Sequence, residues 1–319
     1  MTRNPRHRPR RRGTPPGTHI PVLLREVVRC LDPQPGQTVA DCTVGYGGHA
    51  RAFLERIGPD GRLLGLDCDD TYLHQTRQRL ADFDPAVTIV RANFAELERV
   101  MAEQGLDGFD IVLADLGVSS MQVDDPGRGI GYKEDGQLDM RMDNRLEKTA
   151  ADLLAEMSPE DLSAAIRDLG DEEDHERIVF FLAAQRQVQP LTLVSQLVRL
   201  VLAAKGLTEH TWRKSPKSDF GEFHPAAKTF QALRILVNRE LDNLSRLLEA
   251  LPRCLKSGGR AGIISFQGGE DKLVREAFEA GQAAGVYAAV SDGAIRPGPR
   301  EVHRNWRSAS GRFRWARRA

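Results

Sequence analysis

Sulfur chemistry is scarce in this sequence: four cysteines, Cys30, Cys42, Cys68 and Cys254, are scattered over 319 residues, with no CxxC pair and no histidine spacing that suits zinc. Neither a metal site nor a disulfide framework follows from them, and they read as reduced thiols of a cytoplasmic protein. No apolar run approaches the roughly 18 residues required of a membrane helix. A secretory signal is missing as well, because the arginine-rich start leads into Pro15, Pro16 and Gly17 rather than an apolar segment. Net charge is zero, with 45 Lys and Arg against 45 Asp and Glu. The balance is uneven along the chain, however. Arg3, Arg6, Arg8, Arg10, Arg11 and Arg12 crowd one end, and Arg296, Arg300, Arg304, Arg307, Arg312, Arg314, Arg317 and Arg318 the other. Phosphates feel such patches even where the sum vanishes, so RNA or DNA is the first expected partner.

With 40% hydrophobic and 28% charged residues, the remainder has the composition of an ordinary globular protein that can bury a core. Residues 1–17 contain nothing to bury and are expected to form a disordered basic arm. From there the pattern alternates. "TVADC", "LLGLD", "VTIVRANF" and "FDIVLADL" read as strands separated by amphipathic helices, which predicts an α/β fold with a parallel sheet covered on both faces. Over residues 123–222 the helical period continues without convincing strands, so a helical insertion is expected there, between segments 18–122 and 223–319 of the sheet domain. The stretch from "HPAAKTF" to "CLKSGG" predicts one long helix closed by Gly258 and Gly259, followed by strand five, "RAGIISF". "VYAAVSDGAI" and "GRFRWARRA" suggest a final antiparallel pair.

The chemistry concentrates at strand ends. Gly45, Gly47 and Gly48 follow strand one within "DCTVGYGGHA", where an open parallel sheet usually receives a nucleotide-like group. Asp67 closes strand two about twenty residues on, at the place where an acid accepts hydrogen bonds from ribose hydroxyls. A third glycine at the dinucleotide offset is missing, which disfavours a pyrophosphate and favours an adenosyl ligand without phosphates, S-adenosylmethionine. A nicotinamide-dependent oxidoreductase is the alternative on the same features, and packing alone would also explain the glycines. Asp115 ends strand four beside this bend, ahead of Gly117, Ser119 and Ser120. His224, Lys228, Gln231, Arg234 and Asn238 recur at three- and four-residue spacing as a polar stripe, either an RNA-facing surface or a solvated helix face. Arg141, between Asp139 and Asp143, is an RNA or cofactor-lid element or an internal ion pair.

Together, "HIPVLLREVVRCLDPQPGQTVADCTVGYGGHA", "DLGVSSMQVDD", "DGQLDMRMD", "HPAAKTFQALRILVNREL" and "GGRAGIISF" resemble, in order, the bacterial 16S ribosomal RNA cytosine-N4 methyltransferase family, RsmH or MraW. The resemblance implies a Rossmann-like S-adenosylmethionine-dependent methyltransferase fold with an inserted all-helical domain. It also implies methylation of N4 of a cytidine in the decoding region of small-subunit ribosomal RNA, as RNA or within the assembled 30S subunit. Carried over by position, the cofactor contacts would be Gly47, Gly48, His49, Asp67, Phe94, Asp115 and Gln122. Of these, His49 and Gln122 rest on the resemblance alone, and Phe94 suits a wall against adenine. A homodimer is compatible with the sequence, although nothing in it requires one.

One stretch departs from that family. Its usual "SFHSLED" is Ser265-Phe266-Gln267-Gly268-Gly269-Glu270-Asp271 here, so an amide stands where an imidazole could move a proton. Either the imidazole is dispensable, or the chain is a divergent relative, catalytically impaired and binding only RNA or cofactor, or acting on a different RNA cytidine. Gln137 likewise replaces a usual proline. The arginine arm generates a test of its own: deleting residues 1–17 is expected to flatten the salt dependence of RNA binding, measured as the slope of log K against log salt. An unchanged slope removes the arm from phosphate attraction.

Overall fold

A computed structural model describes residues 20–84, 86–214 and 224–319, so the arm expected over 1–17 lies outside the described residues. Helix α1 (Leu24–Leu31) precedes a strictly alternating run: β1 (Thr38–Asp41), α2 (Gly48–Ile57), β2 (Arg62–Asp67), α3 (Leu73–Arg79), β3 (Val87–Arg91), α4 (Leu97–Glu103) and β4 (Phe109–Asp115). After the insertion come β5 (Leu255–Ser265), β6 (Tyr287–Val290) and β7 (Arg312–Arg318). All seven form one sheet in the order β3-β2-β1-β4-β5-β7-β6. β1 to β5 are mutually parallel, whereas β7 runs antiparallel between β5 and β6, as the expected final pair.

Both faces of the sheet are dry, which is why its central strands are apolar throughout rather than alternating. On one face Val39, Leu63, Ile111 and Leu113 meet Leu23, Val27, Phe53 and Ile57 from α1 and α2. On the other, Ala40, Leu64, Val112 and Ala114 pack against two further helices, α12 (Glu240–Cys254) and α13 (Gly268–Ala283). This two-sided burial leaves the polar ends of β1, β2 and β4 as the place where a ligand can enter.

The insertion builds a core of its own from α5 (Ser120–Asp124), α6 (Ala150–Glu156), α7 (Pro159–Gly170), α8 (His175–Val188), α9 (Val194–Ala204) and α10 (Glu209–Lys214). Its cluster extends beyond the expected boundary at residue 222. Ala226, Phe230, Ala232, Leu233 and Val237 of the segment containing α11 (Ala227–Asn238) pack with Leu162, Ile166 and Ile178. The expected single long helix is two: α11 ends where Arg239 takes a positive φ of 50°, and α12 (Glu240–Cys254) starts on a new axis. Gly258 and Gly259 do not close it either. They lie inside β5, where a Cβ on Gly259 would stand 2.9 Å from the Phe109 carbonyl oxygen, and where the β4–β5 register shifts. α13 (Gly268–Ala283) and α14 (Pro299–Arg304) complete the helices used below. Among the described residues no helix is long and apolar enough to cross a membrane.

One side chain fastens the insertion's entry loop to α11. Buried Asn238 accepts from the Met142 amide at 2.7 Å and donates to the Met140 carbonyl at 2.8 Å. Removing it leaves both backbone groups unpaired. Asn238→Ala is therefore expected to lower stability by about 1–3 kcal/mol in urea unfolding, with faster amide exchange at Met142. Unchanged exchange there would show that the clasp holds nothing.

Candidate functional site

The bend after β1 is built on backbone room of two kinds. Gly45 and Gly47 have φ of 45° and 75°, which residues with a Cβ rarely adopt. Gly48 serves contact instead, since a Cβ there would stand 2.4 Å from Cγ of Pro21. Asp67 holds the bend in place: its Oδ2 accepts the Gly45 amide at 2.9 Å, and its Oδ1 accepts the Asp69 amide at 3.0 Å. Thr76 Oγ1 donates to the Gly45 carbonyl from below.

Beyond these strand ends lies a cleft of about 350 Å³. Its walls include Gly45, Gly48, His49, Asp67, Phe94, Asp115 and Gln122, all residues expected at the cofactor. Gly47 is not part of the wall and faces the Leu80 side chain. Thr43, Tyr46, Asp69, Tyr72 and Glu270 also line the cleft and were not expected there. Asp69 carried a faint signal, as the second acid of "LDCDD". It is buried and ties the insertion to β2, accepting from Gln122 Nε2 at 2.8 Å and from Arg128 Nη2 at 2.5 Å.

The polar stripe of α11 makes contacts within the protein. Lys228 donates to the Asp171 carbonyl, Gln231 to the Leu169 carbonyl, and His224 stacks on Tyr132 with ring centres 4.9 Å apart. Lys228 and Gln231 thereby satisfy carbonyls at the carboxyl end of α7, while Lys228 itself stays exposed, so part of the stripe is an interhelical contact. Only Arg234 reaches the cleft, in a two-pronged ion pair with Glu240 at 2.8 and 3.0 Å. Arg141 likewise closes on Asp139 through two bonds of 2.8 Å, the internal ion pair of the two expected roles.

Electrostatically the cleft is short of cations. Burial pushes Asp41 up to about 7, with the neighbouring Asp67 adding to the rise. Asp67 is pushed up to about 6 by desolvation. Glu270 is raised to about 7 by burial and by Glu240. Asp115 stands well above the usual carboxylate range through burial, then through Asp41 and Glu270. Its Oδ1 is buried without a hydrogen-bond partner among the described residues, while Oδ2 lies 3.9 Å from His49 Nδ1. An unpartnered buried acceptor among partly protonated acids is costly in isolation and suits a cationic ligand. Among the described residues no group of acids, histidines and cysteines could hold a metal ion.

A seven-stranded sheet of this order, with a glycine bend, an acid closing β2 and an acid-rich cleft above, defines the class as a Rossmann-like S-adenosylmethionine-dependent methyltransferase. Within that class the chain belongs to the MraW methylase family, which it matches over residues 17–319. It is 39% identical over 312 residues to ribosomal RNA small subunit methyltransferase H 1 of Agathobacter rectalis, covering 96% of this chain and 87% of that one. Ribosomal RNA small subunit methyltransferase H of Symbiobacterium thermophilum is 44% identical over 260 residues, with 82% and 79% covered. The Desulfotalea psychrophila protein of the same name is 39% identical over 298 residues, with 93% and 97% covered. The protein is thus an S-adenosylmethionine-dependent methyltransferase, and the oxidoreductase alternative falls away.

The raised acids give cofactor binding a pH dependence of definite sign. In the free protein Asp41, Asp67 and Glu270 hold protons up to about pH 6–7, and a sulfonium cation favours their ionised forms. Affinity for S-adenosylmethionine is expected to rise by about tenfold or more between pH 5.5 and 8 in calorimetry, whereas S-adenosylhomocysteine, which lacks the sulfonium charge, gains less. The same groups make the free protein less stable as pH climbs from about 4 to 7, because the folded state retains protons that the unfolded chain has already released. Equal pH slopes for the two ligands would break the link between the acids and the charge.

Proposed function

We propose that this enzyme methylates N4 of a cytidine in the decoding region of small-subunit ribosomal RNA, in the cytoplasm, on the RNA or the assembled 30S subunit. The curated relatives supply the substrate class through their names. The observation that carries the chemistry is the unpartnered Oδ1 of Asp115, buried in the wall of the cleft.

S-adenosylmethionine, when bound, supplies an electrophilic methyl group. Its adenosyl half would lie along Gly45, Asp67 and Phe94, and its charged half near Asp115 and His49. The exocyclic amine of cytosine is a poor nucleophile because its lone pair is delocalised into the ring. A carboxylate accepting one N4 hydrogen favours pyramidal nitrogen and stabilises the positive charge that grows there during attack. Asp115 Oδ1 has no hydrogen-bond partner among the described residues, and the side chain as a whole is partly open to the cleft. The Asp115 backbone is fixed by donation of its amide to Thr43 Oγ1 at 2.7 Å, so the carboxylate is positioned before substrate arrives. After transfer the nitrogen must release a proton. Asp115, ionised while a cation lies beside it, receives the proton because burial, Asp41 and Glu270 favour its protonated form once that charge has gone. His49 flanks it: its Nε2 pairs with the Val22 carbonyl at 3.0 Å, which turns Nδ1 toward Asp115.

The target base has to leave its stack to enter the cleft, so recognition is easiest where the RNA is already single-stranded. Nothing in the comparisons favours a catalytically impaired relative, despite Gln267. Glu270 explains why that stretch tolerates change: its Oε2 accepts the amides of Phe266 and Gln267 at 2.9 and 3.1 Å, so the loop is shaped by backbone donors.

Asp115→Asn is expected to lower transfer to undermethylated small subunits by about 10²–10³-fold while the fold persists and S-adenosylmethionine affinity falls by a much smaller factor. The assay follows labelled methyl groups and maps them on the RNA. Wild-type turnover in the variant would refute the role of Asp115, and label elsewhere than on a cytidine would refute the substrate.

A further inference from the structure

The rim of the cleft holds an aromatic ring that the chemistry above does not use. Trp306 lines the cleft yet remains 42% exposed, one of few large apolar side chains so open among the described residues. Arg307 covers part of it, with the guanidinium carbon 5.1 Å from the ring centre. That guanidinium is in turn held by Asp124 of α5, at 3.0 and 3.1 Å from its two oxygens, so the stack links the carboxyl-terminal segment to the insertion.

The ring sits on a braced turn. Buried Ser308 bonds to the Asn305 carbonyl through both its amide at 3.0 Å and its hydroxyl at 2.7 Å. Upstream, Glu301 accepts the Leu23 amide at 2.7 Å, which anchors α14 to the start of α1. Trp306 is therefore presented at a fixed place by backbone that is tied down on two sides.

We infer that Trp306, backed by Arg307, is a stacking platform for a nucleobase of the RNA beside the target cytidine. This rests on the proposed RNA substrate. Extruding one base exposes the face of its neighbour, and an aromatic ring at the cleft mouth replaces the lost stacking without regard to sequence. Arg307 suits the same occupant, since a guanidinium both stacks on a base and meets a phosphate. Continuity with the Asp115 cleft selects the occupant. Of the other widely exposed apolar residues described, Ile20 also lines the cleft but has no ring to stack on a base, whereas Phe180 and Val188 lie on α8 and line no part of it.

The test compares Trp306→Phe, Trp306→Leu and Trp306→Ala on undermethylated small subunits. Alanine and leucine are expected to raise KM for the subunit by roughly five- to a hundredfold, the span of single base–aromatic stacking. Phenylalanine should stay within about threefold of wild type, and kcat and S-adenosylmethionine affinity should change by less than about twofold in all three. A second readout needs no turnover: a single-stranded oligoribonucleotide should quench tryptophan emission in wild type, and the quench should vanish in Trp306→Phe although Trp212 and Trp315 remain. An unchanged KM in the alanine variant, leucine matching wild type as for an apolar contact with a protein, or lost cofactor affinity would each overturn the platform. If wild-type enzyme labels no cytidine, the substrate assignment fails, and the quench still decides whether Trp306 stacks on RNA.

Discussion

Too many acids for the available cations is the condition on which this site depends. Asp67, Asp115 and Glu270 line the cleft at the carboxyl edge of one sheet with Asp41 buried behind them, while the arginines of that wall, Arg234 and Arg307, are engaged by Glu240 and Asp124. A fold tolerates such a cluster in two ways. Backbone amides can satisfy the oxygens, as they do for Asp67 and Glu270. Protons can cover the rest, as the raised values of Asp41 and Asp115 indicate. Either state is readily displaced by a ligand that brings positive charge of its own, and a sulfonium beside an ammonium does so without needing a metal or a phosphate cradle.

The same condition explains why the insertion is more than an appendage. Its entry passes through Gln122 and Arg128, both bonded to Asp69 just past the end of β2. Arg128 continues to the carbonyls of Arg141 and Met142, and Asn238 clasps that loop from α11. One chain of hydrogen bonds thus runs from the cofactor edge of the sheet to the helix that delivers Arg234. The cleft has a wall from each part of the molecule, and neither part encloses it alone.

Much of this was legible in the chain. Periodicity revealed the sheet, because strands buried on both faces and helices buried on one leave different patterns. The glycine bend, Asp67 and Asp115 were visible because strand ends are read by position. The contacts of the α11 polar stripe were not legible for a physical reason: polar residues at helical spacing look alike whether they face water or the carbonyls of a neighbouring helix. Only the position of α7 distinguishes them, and that is a long-range fact. The break at Arg239 was hidden for a related reason, since an arginine with positive φ carries no local signal and is held there by the packing of two helices on different cores.

The replaced histidine can be weighed on the same terms. If an imidazole in the Gln267 position were the proton acceptor, the amide here would leave the reaction without one. The cleft, however, already contains an acid whose environment favours protonation, with His49 at 3.9 Å from it. Gln267 instead occupies the turn into α13, where its backbone amide and that of Phe266 converge on Glu270. The next residue, Asp271, is committed to Arg314 of β7 at 2.7 and 3.1 Å, which fixes the start of that helix against the sheet. What this stretch has to preserve is therefore the two acids and the backbone shape between them. Both survive the substitution of the residues in front, and the flexible Gly268 and Gly269 meet no obstruction closer than 3.9 Å where they stand.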